Sequence, residues 1–336
     1  MKKSNLKVFI RCDGDYGKKN GMGHIYRSIE IVKLLKKKYE IIFLTKSPKI
    51  VELFLKKKTK CKIINIKKFN QNKLEKLFNI SSVLINDTFG KDKKINIIAE
   101  KNNSKIICFD DNKINFKKGL LINAITHYKQ KNRFSRNIKY YGGFKYLILR
   151  NFKKYKKLKY LNKSFFVSSG GSDIHSFLYK VSRILINMEP KKIKVMVGYG
   201  VKKNNRIFNL AKKNKKIKLL KNINNPIKHM QSCEYVIVTG GTVCFESVAA
   251  KLNTICIQNY DHQIPAVKFL SKKKVLQNFG TLKGITKKKF TNLFRKNKFN
   301  NEINYNNNII DFNGIKRLKT IINNFLNEKN PNHYSS

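Results

Sequence analysis

Gly21-Met22-Gly23-His24-Ile25-Tyr26-Arg27 follows the apolar run Leu6–Arg11 and is the stretch whose reading decides the fold. A strand that ends in a glycine-bearing loop and then enters a helix is a phosphate-holding junction. Backbone N–H groups converge there, and the helix dipole favours negative charge. Gly21 and Gly23 let a ligand approach the backbone closely. Position 26 is Tyr, so the spacing is not the dinucleotide-type Gly-x-Gly-x-x-Gly, and no Gly-Lys-Ser/Thr follows to make a P-loop. His24 and Arg27 stand in the first turn of the helix. They supply a proton acceptor and a fixed cation, with Asp13 near enough to set the histidine tautomer. The alternative for His24 is a histidine that caps or packs at the helix start.

Working outward, short apolar runs alternate with helical patterns from end to end, which predicts parallel sheets. Strands are expected at Lys7–Arg11, Ile41–Thr45, Ser82–Asp87, Lys105–Asp110 and Leu120–Asn123. Helices are expected at Gly23–Lys37, Lys49–Lys57 and Asp92–Glu100. The basic, aromatic segment Gln130–Lys159 interrupts the series. It resumes with strands at Ser164–Ser168, Lys194–Val197, Ile217–Leu220, Tyr235–Thr239 and Thr254–Gln258, separated by helices at Asp173–Asn187, Val243–Leu252 and Gln263–Lys272. Two doubly wound α/β domains are therefore expected, 1–155 and 156–336, with a last helix at Asn313–Leu326 that either stays with the second domain or packs back across the junction. Ligands of open α/β sheets bind outside the carboxyl ends of the strands, which places a cleft between the two domains.

Composition sets bounds on function. The 336 residues exceed one ordinary core. No apolar run approaches the ~20 residues that span a bilayer. The N-terminus lacks the apolar stretch of a signal peptide, so a cytoplasmic location is the expectation. Six dispersed cysteines without a Cys-x-x-Cys pair read as reduced core thiols, not as a metal site. The net charge of +55 draws polyanions, and weakly draws anionic membrane surfaces. The lysines are nevertheless spread over the whole chain with abundant Asn and Ile, as an A/T-rich genome produces. No nucleic-acid recognition motif accompanies them, so no dedicated nucleic-acid partner is expected.

Further residues stand at strand ends. Thr239-Gly240-Gly241-Thr242 is a second strand–glycine–helix junction, suited to a diphosphate, with Thr242 as the expected N-cap. Glu246 lies one turn further in. It either accepts hydrogen bonds from ribose hydroxyls or complements the helix dipole. Asp261-His262-Gln263 follows the next strand and faces the same cleft. Ser168-Ser169-Gly170-Gly171-Ser172-Asp173 is a third junction, for phosphate or sugar, or a tight turn with an N-cap. Asp87, Asp110 and Asp111 end strands of the first half, where a carboxylate binds sugar hydroxyls, orients a histidine or caps a loop.

In order and spacing these motifs resemble the pseudaminic-acid-pathway UDP-sugar hydrolases. They resemble equally the spore-coat polysaccharide biosynthesis relatives built on the GT-B fold of MurG-type glycosyltransferases. The resemblance runs through Arg11-x-Asp13, Gly21-x-Gly23-His24-x-x-Arg27, Phe109-Asp110-Asp111, and Gly143-x-x-Tyr146-x-x-Leu149-Arg150. It continues through Val167-Ser168-x-Gly170-Gly171-Ser172-Asp173, Gly240-Gly241-Thr242-x-x-x-Glu246, His262-Gln263 and Asp311-x-x-Gly314-x-x-Arg317.

The resemblance implies a GT-B fold of two Rossmann-like domains facing a cleft, and hydrolysis of a UDP-linked 2,4-diacetamido-2,4,6-trideoxy hexose to free sugar and UDP. His24 is then the base that activates water. Arg11, Asp13, Gly21, Gly23, Arg27 and Asp87 lie on the sugar side. Ser169, Gly170, Gly171, Gly240, Gly241, Thr242, Glu246, His262 and Gln263 bind the substrate from the second domain. No metal or cofactor is implied, and a monomer is expected. The alternative is a glycosyltransferase of the same fold that uses a UDP-sugar donor. The chain departs from the family in a longer Asp13–Gly21 loop and in His262-Gln263 where Asn-Gln is commoner.

Overall fold

The computed structural model describes residues 5–14, 22–55, 61–111, 114–125, 137–150, 159–221, 223, 225–295 and 303–328. Gly21, Asp15, His127 and His333 lie outside them, as does the expected domain junction near residue 155.

The chain divides into two compact units. The first comprises Met1–Gly14, His24–Ile148 and Asn313–Ser336, and the second Asp15–Gly23 and Leu149–Phe312. In the first unit a parallel sheet is built from β1 (Lys7–Cys12), β2 (Glu40–Thr45), β3 (Lys62–Asn65), β4 (Ser82–Asp87), β5 (Lys105–Phe109), β6 (Gly119–Asn123) and β7 (Ile138–Gly142), in the order β3-β2-β1-β4-β5-β6-β7. Helices α1 (Gly23–Leu35), α2 (Pro48–Leu55), α3 (Gln71–Glu75) and α4 (Lys93–Lys101) connect the strands.

β4 and β6 are buried along their whole length, as strands covered on both faces must be. Phe9, Leu44, Leu84, Ile106 and Leu121 lie in one apolar cluster with Ile95, Ile98 and Ala99 of α4. The chain runs outward from β1 to β3 and then returns to place β4 beside β1, with Cys12 in register with Asp87. Where the winding direction reverses, the loops after β1 and β4 diverge and leave room for a ligand.

The second unit repeats the plan. Its sheet has the order β10-β9-β8-β11-β12-β13, from β8 (Leu161–Ser168), β9 (Lys192–Val197), β10 (Ile217–Lys221), β11 (Cys233–Val238), β12 (Thr254–Gln258) and β13 (Gln277–Thr281). The connecting helices are α5 (Phe177–Ile186), α6 (Arg206–Lys213), α7 (Pro226–Gln231), α8 (Thr242–Ala249), α9 (Ile264–Lys272) and α10 (Lys287–Arg295). Val167, Val195, Ile237, Ile255 and Phe290 belong to its core. Here the reversal falls between β8 and β11.

All six cysteines are free; five are buried and Cys61 is half-buried. Among the described residues no helix is long and apolar enough to cross a membrane.

The structure adds helices α3, α6, α7 and α10 to the sequence reading and differs from it at three further points. β3, β7 and β13 are present although their sequences, such as Lys-Ile-Ile-Asn and Gln-Asn-Phe-Gly-Thr, lack an apolar run. All three are sheet edges, where only one neighbour has to be satisfied. The helix expected from Asp173 begins at Phe177, because Ser176 adopts a left-handed conformation (φ 54°) just before it. The last helix, α11 (Gly314–Asn327), lies inside the expected 156–336 range and groups with the first unit. Lys105 donates to the carbonyls of Phe325, Leu326 and Glu328 at its carboxyl end, and Arg317 donates to the Lys145 carbonyl.

Candidate active site

His24 and Arg27 are one helical turn apart, so both side chains leave α1 on one face. That face meets Asp87, the last residue of β4. Asp87 Oδ1 lies 2.6 Å from His24 Nδ1 and accepts from Arg27 Nη2 at 2.5 Å, while Oδ2 accepts from Arg27 Nε at 2.7 Å. Asp87 is fully buried and the His24 side chain is 22% exposed. Burial by itself would push the Asp87 carboxyl up; Arg27 and His24 outweigh it and hold the group well below the usual carboxylate range. An ionised carboxylate only accepts, so Nδ1 carries the imidazole proton and Nε2 is the basic nitrogen.

A second carboxylate completes the cluster. Asp110 follows β5, is buried, and accepts from Arg27 Nη1 through Oδ2. Its other oxygen accepts the Ile125 N–H at 2.9 Å. The Arg27 guanidinium also lies over the Phe109 ring, 4.9 Å from its centroid. Arg27 is therefore no cation waiting for a phosphate, as the sequence suggested. It is buried, and the two carboxylates overcome the cost of burial and hold its proton more firmly than usual.

Asp13 does not set the His24 tautomer. It accepts from Arg11 Nη2 at 2.5 Å, from Thr45 Oγ1 at 3.0 Å and from the Lys46 N–H at 2.7 Å. Burial would raise its pKa, but Arg11 and these donors keep it lowered. Arg11 is 1% exposed and also donates Nε to Asp92 at 2.7 Å, so this pair braces the loop after β1. The tautomer passes to Asp87 because β4, not the loop after β1, ends opposite the start of α1.

Two neighbours of the site carried no signal of their own. Phe89, in the loop after β4, adopts a left-handed conformation (φ 57°) and meets the His24 ring edge-on, with centroids 6.0 Å apart. That conformation is costly for a bulky side chain and marks a strained segment beside His24. Gly90 follows at φ +70°, and a Cβ there would fall 2.5 Å from Asp111 Oδ1. An aromatic residue and a glycine two and three positions after a strand-terminal aspartate are the only hint the sequence holds.

In the second unit the expected residues gather at the carboxyl ends of β8, β11 and β12. The Gly170 N–H donates to Ser168 Oγ at 3.0 Å with φ +83°, and Thr239 Oγ1 donates to the Ser169 carbonyl at 3.3 Å. Gly200 N–H donates to the Gly171 carbonyl at 2.8 Å, which joins the loops after β8 and β9. α8 starts at Thr242 with Gly241 as its cap, so Thr242 is the first helical residue and not the expected N-cap. A Cβ on Gly240 would meet Val267 Cγ2 at 2.8 Å, whereas one on Gly241 would meet no described atom within 4 Å.

Glu246 is fully buried, and Arg150 grips it with Nε and Nη2, both at 2.6 Å. Gln263 Oε1 accepts the Asn259 N–H at 3.0 Å, and the His262 ring stacks on Tyr260 at 5.5 Å. Tyr260 in turn meets His175 at 5.5 Å. Ser169 Oγ and Asn259 Oδ1 are buried with no partner among the described residues. Such atoms in a folded protein call for a ligand or water.

No protein-family model matches the chain. A curated relative, the uncharacterised protein MJ1062 of Methanocaldococcus jannaschii, is 32% identical over 265 residues, which are 72% of this chain and 54% of the relative. The chain thus spans about half the length of that relative. Among solved structures it is similar to Acinetobacter baumannii MurG (TM-score 0.64, 12% identity, 95% of this chain and 99% of that one). It is also similar to Staphylococcus aureus MnaA solved with UDP (0.62, 15%, 97% and 99%). The UDP-GlcNAc 2-epimerase of M. jannaschii gives a TM-score of 0.56 at 13% identity, covering 95% of this chain and 100% of that one. At these identities the likeness speaks for the fold alone. With the two parallel sheets of seven and six strands, the fold is GT-B, two Rossmann-like domains.

Proposed function

We propose that this chain is a nucleotide-sugar hydrolase. Its substrate would be a UDP-linked 2,4-diacetamido-2,4,6-trideoxy hexose, cleaved to free sugar and UDP in nonulosonic acid biosynthesis. The observation that carries the reading is the 2.6 Å contact between His24 Nδ1 and the buried Asp87, which makes Nε2 a base. Nε2 takes a proton from water as the water oxygen bonds to the anomeric carbon. The bond from that carbon to the diphosphate oxygen breaks, and UDP leaves with the electron pair. UDP is a good leaving group, so donors that stabilise the departing diphosphate matter more than a strong general acid.

The loops Ser169–Gly171 and Gly240–Thr242 are assigned to that diphosphate, and Ser169 Oγ and Asn259 Oδ1 are buried atoms that a bound ligand would satisfy. His262 and Gln263 are assigned to the sugar or diphosphate. Glu246 is assigned to the ribose, in partnership with Arg150. The cluster of Arg27, Asp87 and Asp110 holds two carboxylates against one guanidinium, and the proton His24 takes from water matches the remaining charge.

The test is UDP release from a panel of UDP-sugars with no acceptor present, followed by mass spectrometry of the sugar. Turnover with water alone is expected. His24→Gln should lower it by about 10²–10⁴-fold, the usual worth of a positioned base. UDP release only when an acceptor alcohol is added would replace this reading with a glycosyltransferase.

A further inference from the structure

We infer that Asp110 is a positioning residue for His24, acting through Arg27 on the carboxylate that fixes the imidazole. The inference rests on the reading of His24 as the base.

His24 Nδ1 and Arg27 Nη2 both approach the same oxygen, Asp87 Oδ1, at 2.6 and 2.5 Å. The two nitrogens lie 3.4 Å from each other, so they compete for one acceptor. Arg27 already holds Asp87 as a bidentate pair through Nε and Nη2, and a guanidinium free to turn further onto Oδ1 would displace the weaker donor. Asp110 prevents this by drawing Nη1 away to its own Oδ2, while Phe109 supports the guanidinium face. Arg27 is thereby held on three sides, and the imidazole keeps its share of Oδ1.

The backbone at Asp110 is shaped for the task. Its φ of 48° is left-handed, a conformation that aspartate tolerates better than most side chains but at a cost. The Asp110 N–H donates to the Ile122 carbonyl at 2.9 Å, and Oδ1 accepts from Ile125, so the turn after β6 clamps the carboxylate from the other side. A residue needed only to end β5 would not require a buried carboxylate aimed at a helix 83 positions earlier in sequence.

The experiment substitutes Asp110→Asn, which keeps the shape, the tolerance of left-handed backbone and an acceptor for Ile125. Asp110→Gly serves as a second variant, since glycine adopts this φ without strain. Nitrogen-15 spectra of the imidazoles, with His24 assigned through His24→Gln, report the tautomer without any substrate. The parent should show Nδ1 protonated. Both variants should show a mixture of tautomers. Turnover should fall on the order of tenfold at unchanged KM, as for other outer groups that orient a reacting side chain. Folded variants that keep the parent tautomer and turnover overturn the inference. A tautomer change in a protein that releases UDP from no UDP-sugar leaves the positioning role standing and removes the proposed reaction.

Discussion

Glu246 and Arg150 form a bidentate pair across 96 positions of sequence, with both nitrogen–oxygen distances at 2.6 Å and the carboxylate fully buried. The arginine lies just before residues 151–158 and ties the start of the second unit to α8. Removing one partner strands the other charge in the interior. Arg150→Ala is therefore expected to lose about 3–5 kcal/mol of stability in denaturant titrations. Glu246→Gln, which retains an acceptor, should lose less. An Arg150→Ala protein with the parent midpoint would show that water reaches the pair.

That pair also marks where the sequence stops being legible. The strands of both sheet centres are readable because burial on two faces demands unbroken apolar runs, as in Val83–Ile85 and Val236–Val238. The edges β3, β7 and β13 are not, since one free side tolerates polar residues. At the site, the residue types stand out: a histidine and an arginine opening α1, and aspartates ending β4 and β5. The partnerships do not. Asp13 and Asp87 both stand at strand ends as candidate orienters of His24, and the donors that occupy Asp13, together with the His24–Asp87 contact, decide between them. The Arg150 partner of Glu246 stays hidden because it lies 96 positions away in sequence.

Asp87 predicts a dependence on acidity. Its folded-state pKa is depressed, because Arg27 and His24 outweigh its burial. The folded protein thus gives up this proton at lower pH than the unfolded chain. The stabilisation is complete above about pH 4, the ordinary aspartate value, and is lost as the pH falls through the depressed value. The parent should lose stability more steeply than Asp87→Asn between about pH 4 and pH 2, although the variant is the less stable at pH 7. Urea midpoints measured at each pH decide it, and parallel curves would deny Asp87 that role.

Lys105 gathers the carbonyls at the end of α11. Lys105 Nζ reaches the carbonyls of Phe325, Leu326 and Glu328 at 3.0, 2.9 and 2.5 Å, which gathers three acceptors that the helix itself leaves unsatisfied. Lys105→Met should keep the apolar stem and lose about 1–2 kcal/mol, read as a lower denaturation midpoint. At the other end, a Cβ on Gly314 would fall 1.9 Å from the Leu147 carbonyl oxygen. Gly314→Ala must move the helix start or the backbone at Leu147, and it should cost more than Lys105→Met.

Gly241 separates a structural glycine from one reserved for a ligand. Its φ of −107° and ψ of −163° suit any residue, and a Cβ would meet no described atom within 4 Å. Gly241→Ala should therefore fold, losing no more than about 1 kcal/mol for the exchange of glycine by alanine at a helix N-cap. If the diphosphate lies against this loop, the added methyl occupies its place, and UDP affinity by calorimetry should drop on the order of tenfold. Gly240→Ala gives the contrast: its Cβ would press on Val267 and Gln263, so stability should fall together with affinity. An alanine at 241 that binds UDP as tightly as the parent would move the diphosphate away from the α8 loop and leave Ser169–Gly171 as the remaining candidate.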